Sequence, residues 1–127
     1  MAQRRKKTNT LTRTISPFTH RNQPLLVLTT AGSPSEARRL ARLLLKHKLA
    51  GCINLIPHIH SLYWWRGKVA HGKEILLFIK TSAFRLNQLA RFLKLHHSYE
   101  VPELIAIPIS WGDEVYLEWL KQSMEIS

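Results

Sequence analysis

The spacing of apolar and polar positions along the chain predicts an alternation of short strands and amphipathic helices. The apolar run at 25–30 is typical of a buried strand. After it, Ser33, Pro34 and Glu36 predict a helix start, because a serine cap, a proline at the first helical position and a glutamate three residues after the cap all favour one. The apolar positions that follow at i, i+3, i+4 and i+7 are Ala37, Leu40, Ala41 and Leu44.

The middle of the chain predicts a long β-hairpin. Residues 52–65 are rich in β-branched and aromatic side chains and are interrupted by Pro57. Glycines within 66–68 and 71–73 mark a turn region, and residues 74–81 have the pattern of a second strand. Two strands this close in the sequence are expected to pair with each other.

The following segment predicts a second helix and a fourth strand. Ser82 is a suitable cap for the helix, which is expected to end near residues 96–98. Its apolar stripe consists of Leu86, Leu89, Ala90 and Leu93. Residues 101–109 favour a strand, which Pro102 and Pro108 restrict to a sheet edge or to its own ends.

A short terminal helix is expected to begin at Gly112 and Asp113. Its apolar face consists of Tyr116, Trp119 and Leu120. The predicted order is therefore β-α-β-β-α-β followed by a C-terminal helix, which is the split βαβ arrangement of ferredoxin-like α+β sandwiches. A chain of 127 residues without an internal repeat fits one domain, which we place at residues 24–127.

The basic charge is concentrated at the beginning of the chain. The formal net charge is +11, and residues 1–23 carry six Lys or Arg and no acidic residue. This segment is polar and lacks apolar periodicity, so we predict a basic, disordered N-terminal tail. Three roles stay open for it: an organelle transit peptide, contact with nucleic acid or a membrane, and a solvated extension without a partner.

Hydropathy and cysteine content narrow the cellular setting. No apolar run approaches the ~18 residues of a membrane span, and no secretory signal core is recognisable. Cys52 is the single cysteine, so an intrachain disulfide is excluded. We therefore predict a reducing, cytoplasmic location.

Four separated segments carry motifs in a defined order. Residues 50–68 read A-x-C-x-N, then P, then S-x-Y-x-W-x-G-K, and Glu74 with 80–81 follows; this order resembles the pattern of the CutA family. Residues 97–103 read H-S-Y-E-V-P-E where the family has H-P-Y-E-V-P-E, and residues 116–119 resemble its closing Y-L-x-W. Each piece is weak alone, but the combination and its order are highly specific.

The resemblance to CutA implies a homotrimer in which the sheets of neighbouring subunits meet edge to edge. It also implies a role in tolerance to divalent metal ions, with copper most often named. The residues themselves support an interface, because a hairpin carrying Tyr63, Trp64 and Trp65 is unfavourable to leave exposed. The alternative is that these aromatic side chains fill the core of a single subunit.

A candidate metal site follows from the same resemblance. In bacterial members of that family, a histidine and a glutamate of the 97–103 segment are associated with metal, together with a cysteine on the first strand. The candidates for copper or another divalent metal are therefore His96, His97 and Glu103. Here Thr29 stands where the cysteine is expected, and the loss of a thiolate weakens copper(I) binding most. The alternative is that His97 and Glu103 tie down the turn between helix and strand.

Subunit clefts are a second candidate site, because trimeric ferredoxin-like proteins can hold small molecules there. The positions that match the family and could line such a cleft are Lys68, Lys80, Tyr99, Glu100 and Trp119. Lys80 could meet an anion in the cleft, or form an interface ion pair with Glu74 or Glu103. The first possibility leads to an alternative function, a PII-like trimeric signalling module that binds a small anionic ligand.

No residue pattern predicts catalysis. Cys52, His97 and Glu103 supply the residue types of a nucleophile, a base and an orienting acid, but no spacing signature links them. Glu100 and Glu103 flank Pro102 in an extended segment, so they lie on opposite strand faces or are splayed by the turn, and they do not resemble a general acid–base pair. The chain also lacks a phosphate-binding glycine loop. We therefore predict a protein that is not an enzyme.

Overall fold

The computed structural model of the chain describes residues 20–125, and its elements follow the predicted order. The strands are β1 (Pro24–Ala31), β2 (Cys52–Trp65), β3 (Lys68–Ser82) and β4 (Ile105–Pro108). The helices are α1 (Pro34–Lys46), α2 (Ala83–His96) and α3 (Glu114–Ser123).

The four strands form one antiparallel sheet in the order β2-β3-β1-β4. Helices α1 and α2 pack on one face of this sheet and share its hydrophobic core. This is the ferredoxin-like α+β sandwich with an added C-terminal helix, so the predicted fold class is confirmed. The opposite face of the sheet, which α1 and α2 do not cover, is exposed over much of its area.

The core lies between the sheet and the two helices. Strands β1 and β3 point alternate residues into it, because successive side chains of a strand face opposite sides. The fully buried strand residues on the helix side include Leu25, Val27, Leu77 and Ile79. All four predicted apolar positions of α1 are buried, and α2 buries Leu86, Leu89 and Leu93. Ala90 is only half-buried.

The start of α1 confirms its predicted cap. Ser33 Oγ accepts a 3.2 Å hydrogen bond from the backbone N–H of Glu36, and Pro34 opens the helix. A serine cap satisfies one of the backbone donors that the first helical turn leaves without a partner. The local sequence was therefore sufficient to place this helix.

The start of α2 is capped differently from the prediction. Ser82 occupies the cap position, but its side chain makes no capping hydrogen bond. The backbone N–H groups of the first two helical residues donate instead to the carbonyls of Gln23 and Arg21, each at 2.9 Å. Of the predicted tail, residues 1–23, the structure describes only residues 20–23. Residues 1–19 lie outside the described part of the chain, and their disorder stays a prediction.

The hairpin is longer than predicted, and the expectation of a turn at 71–73 is wrong. Strand β3 begins at Lys68, and the turn is confined to Arg66 and Gly67, which both have positive φ. Two consecutive residues of this kind match the right-handed twist of a hairpin. Strand β1 pairs with β3 only from Ile75 onwards, so residues 59–74 form a two-stranded ribbon that extends beyond the sheet.

Prolines lie in both edge strands of the sheet, β2 and β4, and an edge position was predicted only for β4. In β2, the register shifts next to Pro57, where the strand forms a bulge. Strand β4 ends at Pro108 and pairs only with β1. It covers Ile105–Pro108 rather than the predicted 101–109, because the residues before it run as a loop after α2.

Helix α3 closes one end of the domain. Its Leu120 is buried, and its C-terminal carbonyl, that of Met124, accepts two hydrogen bonds from the Arg85 guanidinium at 3.2 and 2.6 Å. A cation at a helix C-terminus also complements the helix dipole. None of the helices within residues 20–125 is both long and apolar enough to cross a bilayer.

Candidate functional site

Glu74 is the centre of a hydrogen-bond network that joins the ribbon to the loop after α2. Its Oε1 accepts a hydrogen bond from Ser61 Oγ, and its Oε2 accepts one from Tyr99 Oη, each at 2.6 Å. All three side chains are half-buried. Burial, followed by the Glu74 carboxylate, raises the pKa of the Tyr99 hydroxyl well above its usual range. Tyr99 therefore stays a hydrogen-bond donor at neutral pH.

His97 ties the same loop to β1. Its Nε2 lies 2.7 Å from the carbonyl oxygen of Thr30, and its Nδ1 accepts a 3.0 Å hydrogen bond from the backbone N–H of Tyr99. Only the tautomer with the proton on Nε2 satisfies both contacts. The imidazole is buried and its ring centre is 4.8 Å from that of Tyr99. These contacts agree with the interpretation that His97 secures the turn between helix and strand.

The structure does not gather the predicted metal ligands into one cluster. Among residues 20–125, no group of three or more His, Cys, Asp or Glu side chains is placed to hold a metal ion. His96 is half-buried with its ring centre 4.2 Å from that of Phe92, and Glu103 is exposed. A metal ion at His97 would have to replace one of its two hydrogen bonds. The assignment of His96, His97 and Glu103 to a metal stays a prediction.

Thr29 occupies the position where the cysteine was expected. It is fully buried in β1, and within the described part of the chain its Oγ1 has no hydrogen-bond partner. Strand alternation places Thr29 on the same face as Leu25 and Val27, which is the core side. A side chain at position 29 therefore faces the helices, while Thr30 points to the opposite face of the sheet.

Two of the predicted cleft residues, Lys80 on β3 and Trp119 on α3, lie on either side of Tyr116. Lys80 Nζ donates a 2.8 Å hydrogen bond to Asn54 Oδ1 and lies 6.0 Å from the centre of the Tyr116 ring. The Tyr116 ring centre is in turn 5.6 Å from that of Trp119. This brings an ammonium group against the face of an aromatic ring of α3, on the side of the sheet opposite α1 and α2.

The other three predicted cleft residues lie elsewhere in the subunit. Lys68 is at the tip of the ribbon, Glu100 is exposed in the loop after α2, and Tyr99 binds Glu74. Within residues 20–125, the ion pairs do not include the suggested pairing of Lys80 with either glutamate. One cleft lined by all five residues would therefore require more than one subunit.

The three aromatic residues of the hairpin do not all pack into the subunit. Trp64 is 75% exposed and Tyr63 is 47% exposed, while Trp65 is half-buried. Tyr63 and Trp65 lie on one face of the ribbon and Trp64 on the other. The interpretation that they fill the core of a single subunit is wrong for Tyr63 and Trp64.

A clamp that the sequence pattern did not predict joins α1 to the loop after α2. The Glu36 carboxylate accepts hydrogen bonds from the Arg39 guanidinium at 2.9–3.1 Å and from the backbone N–H of Ser98 at 3.1 Å. Arg39 also donates to the carbonyl of His96 at 2.6 Å. The i, i+3 spacing could have predicted the Glu36–Arg39 pair. Nothing in the sequence pointed to the contacts with the distant loop.

The comparisons with known proteins extend over the whole folded domain. A family model described as CutA1 divalent ion tolerance protein matches residues 25–123. A chloroplastic CutA 1 protein from Oryza sativa is 46% identical over 99 residues, which cover 78% of this chain and 56% of the relative. The divalent-cation tolerance protein CutA from Thermus thermophilus is 39% identical over 98 residues, which cover 77% of this chain and 95% of the relative.

Solved structures agree with this result. CutA1 from Oryza sativa superposes with a TM-score of 0.79 at 44% identity, covering 83% of this chain and 96% of that chain. The Thermus thermophilus protein superposes with a TM-score of 0.77 at 38% identity, covering 79% and 97%. The chain spans about half the length of the plant relatives and nearly all of the bacterial one. The chain belongs to the CutA1 divalent ion tolerance protein family.

Proposed function

We propose that the protein acts as a homotrimeric divalent-cation tolerance protein that responds to metal ions, copper first among them, and that it has no catalytic activity. Relatives from Thermus thermophilus and Pectobacterium atrosepticum, 39% and 40% identical, are named divalent-cation tolerance proteins. The side chains of Glu74 and His97 are engaged in hydrogen bonds that secure the fold. This arrangement supports a binding or scaffolding role.

The trimer is proposed because a single subunit leaves an apolar surface exposed. On the sheet face opposite α1 and α2, Leu28 lies between Ile105 and Phe78 in the sheet register, and Ile105 is 50% exposed. The ribbon adds Leu62 and Trp64, which are 73% and 75% exposed. Apolar patches of this kind on a monomer mark interaction surfaces, and the short edge strand β4 offers further unpaired backbone groups. Neighbouring subunits would cover both.

The trimer is tested by light scattering coupled to size exclusion. The parent protein is expected to elute with three times the mass of the chain, and Trp64→Ser is expected to shift the equilibrium towards smaller species. Leu95→Ser is the matched control, because Leu95 is 79% exposed on α2 and lies outside the proposed interface. A monomeric parent protein would refute the proposal.

The metal role is tested by elemental analysis and calorimetric titration with copper and zinc. Stoichiometric binding is expected to fall when His96, His97 and Glu103 are replaced by Ala. His71→Ala is the control, because His71 is exposed on the ribbon, away from the loop after α2. Glu103→Ala should be measured alone as well, because Glu103 is exposed whereas His97 secures the loop. Binding that is unchanged in all variants would reject these ligand assignments.

A second candidate function is the PII-like signalling module that binds a small anion at subunit clefts. The observation that favours it is the position of Lys80, whose ammonium group lies between Asn54 and the Tyr116 ring beside Trp119. A ligand that binds only the folded protein raises its melting temperature. A panel of nucleotides and small carboxylates is expected to include one that does so in the parent protein and not in Lys80→Met. No shift with any anion would leave the metal role as the better proposal.

Two further expectations are tested separately. A membrane or nucleic-acid role of the tail predicts salt-sensitive binding that is lost when residues 1–19 are deleted, which leaves the carbonyls of Arg21 and Gln23 in place to cap α2. The cytoplasmic location is tested by cell fractionation, since related proteins are named chloroplastic in Oryza sativa and Arabidopsis thaliana and periplasmic in Archaeoglobus fulgidus.

A further inference from the structure

The outward sides of α1 and α2, which we call the helix layer, repeat one pattern of exposed residues. In α1 the positions i, i+4, i+7 and i+8 are Arg38, Arg42, Leu45 and Lys46. In α2 the same positions are Asn87, Arg91, Lys94 and Leu95. Residues at this spacing share one side of a helix. Each helix therefore presents a stripe of cations that includes an exposed leucine.

The charge of the helix layer is strongly one-sided. Residues 34–48 and 83–96 contain seven exposed Lys or Arg, besides the buried Arg85, and a single acid, Glu36. In contrast, half of the chain's eight acidic residues lie within residues 113–125, in and around α3. Within residues 20–125, the excess of positive charge therefore lies on α1 and α2 and is not spread evenly over the surface.

The single acid of the helix layer does not offset the cations of the two stripes. The Glu36 carboxylate accepts from Arg39 and from the backbone N–H of Ser98, at the edge of the layer where the next loop begins. These bonds, working against burial, lower the pKa of Glu36, so it is ionised and neutralises Arg39. The two stripes are left without an acidic side chain of their own helices beside them.

The leucines make this surface different from an ordinary solvated helix face. Leu45 is 42% exposed and Leu95 is 79% exposed, although both helices bury other leucines in the core. The helices lie side by side, joined by the ring of Phe92 between His47 and His96 at 4.9 and 4.2 Å. Together they form a broad face on which apolar and cationic side chains alternate.

We propose that the helix layer is an adsorption surface for an anionic phospholipid membrane. Lys and Arg attract the phosphate and carboxylate headgroups of such a surface, and exposed leucines between them enter the boundary to the acyl chains. A nucleic acid fits less well, because the major groove accepts one helix and not two side by side, and its readout gives the leucines no role. The phosphate groups of the lipids account for the cations of the helix layer, and the apolar boundary of the bilayer accounts for its exposed leucines.

The experiment is cosedimentation of the full-length protein with phospholipid vesicles. Vesicles that contain phosphatidylglycerol are expected to bind the protein, and vesicles of phosphatidylcholine alone are not. The double variant Arg91→Glu, Lys94→Glu is expected to lose at least about 25-fold in partition, since each charge near an anionic surface contributes about five-fold. The control is Lys73→Glu, Lys121→Glu, which changes the net charge equally on β3 and α3 and should bind more tightly than the helix variant.

Two more variants separate the proposal from its alternatives. Leu45→Ser, Leu95→Ser keeps every charge and should weaken vesicle binding while leaving binding to a DNA duplex unchanged. Deletion of residues 1–19 should weaken vesicle binding without abolishing it, because the helix layer remains. The proposal is overturned if phosphatidylglycerol has no effect, if the helix variants bind like the parent protein, or if deletion of the tail alone abolishes binding. Circular dichroism shows whether each variant keeps its helices.

Discussion

The Tyr99 hydroxyl donates a 2.6 Å hydrogen bond to Glu74 Oε2 and so connects the loop after α2 to the base of the ribbon. The two residues are 25 positions apart in the chain. Neither is fully buried, yet each has a second anchor: Glu74 accepts from Ser61, and the backbone N–H of Tyr99 donates to His97. The loop therefore depends on one phenol–carboxylate contact for its position against β3.

Replacing Tyr99 by Phe removes this hydrogen bond and leaves the ring in place. We expect a loss of about 1–2 kcal/mol in the free energy of unfolding, since the acceptor is a carboxylate in a half-buried site. Urea denaturation measures it. Tyr63→Phe is the control, because Tyr63 is largely exposed on the ribbon. Equal effects of the two variants would show that the Glu74 contact contributes nothing specific.

The clamp around Glu36 predicts a component of acid lability. Burial acts to raise the pKa of Glu36, but the bonds from Arg39 and Ser98 outweigh it and the pKa is lowered from 4.5. A carboxyl group whose pKa is lower in the folded than in the unfolded protein stabilises the fold at pH values above the unfolded pKa. This contribution is lost as the pH falls through the folded pKa. Glu36→Gln should therefore be less stable than the parent protein at neutral pH and lose less stability on acidification. Urea midpoints across the acid range measure this, and parallel curves would contradict it.

Gly51 lies where α3 approaches the sheet. A Cβ at this position would be 2.7 Å from Leu120 Cδ1 and 3.1 Å from the Leu120 carbonyl oxygen. Gly51→Ala should therefore displace α3 and destabilise the protein by about 1–3 kcal/mol. Gly72→Ala is a matched control with no atom within 4 Å of the added methyl, and should change stability by less than about 0.5 kcal/mol. Thermal unfolding compares the two, and a tolerated Gly51→Ala would contradict the packing described for α3.

Thr29 and Thr81 are a matched pair of fully buried threonines. Thr81 Oγ1 donates a 2.8 Å hydrogen bond to the Leu49 carbonyl, whereas Thr29 Oγ1 has no partner within residues 20–125. Thr29→Val should therefore stabilise the protein by about 1 kcal/mol, and Thr81→Val should destabilise it by a similar amount. Chemical denaturation measures both. A destabilising Thr29→Val would mean that this hydroxyl is hydrogen-bonded in solution.

Features that depend on neighbouring residues in the chain were predicted correctly, whereas features that depend on pairing with distant residues were not. The Ser33 cap and the four buried positions of α1 were predicted correctly, because capping and 3.6-residue periodicity are decided within one or two turns. The turn at 71–73 was predicted wrongly, because Gly72 has turn propensity but continues the ladder opposite Ser61. Pairing with a neighbouring strand overrode the local preference.

The candidate site was likewise predictable from the sequence only in part. Membership of the family and the residue types at its positions follow from the sequence, since four separated motifs keep their order and spacing. The sequence did not determine that Lys80 meets Asn54, or that His97 uses both ring nitrogens within the fold. Lys80 and Asn54 are 26 positions apart in the chain, and His97 and Thr30 are 67 positions apart. Only packing of the chain brings such distant residues together.

By itself, the sequence determined the order of elements and the amphipathic faces of the helices. Each of these depends on near neighbours in the chain. Only the tertiary structure decided that the two cationic stripes lie side by side, that Glu74 holds Tyr99, and that Trp64 points away from the subunit. The physical reason is that such relations depend on strand register and helix packing, which the whole chain determines together.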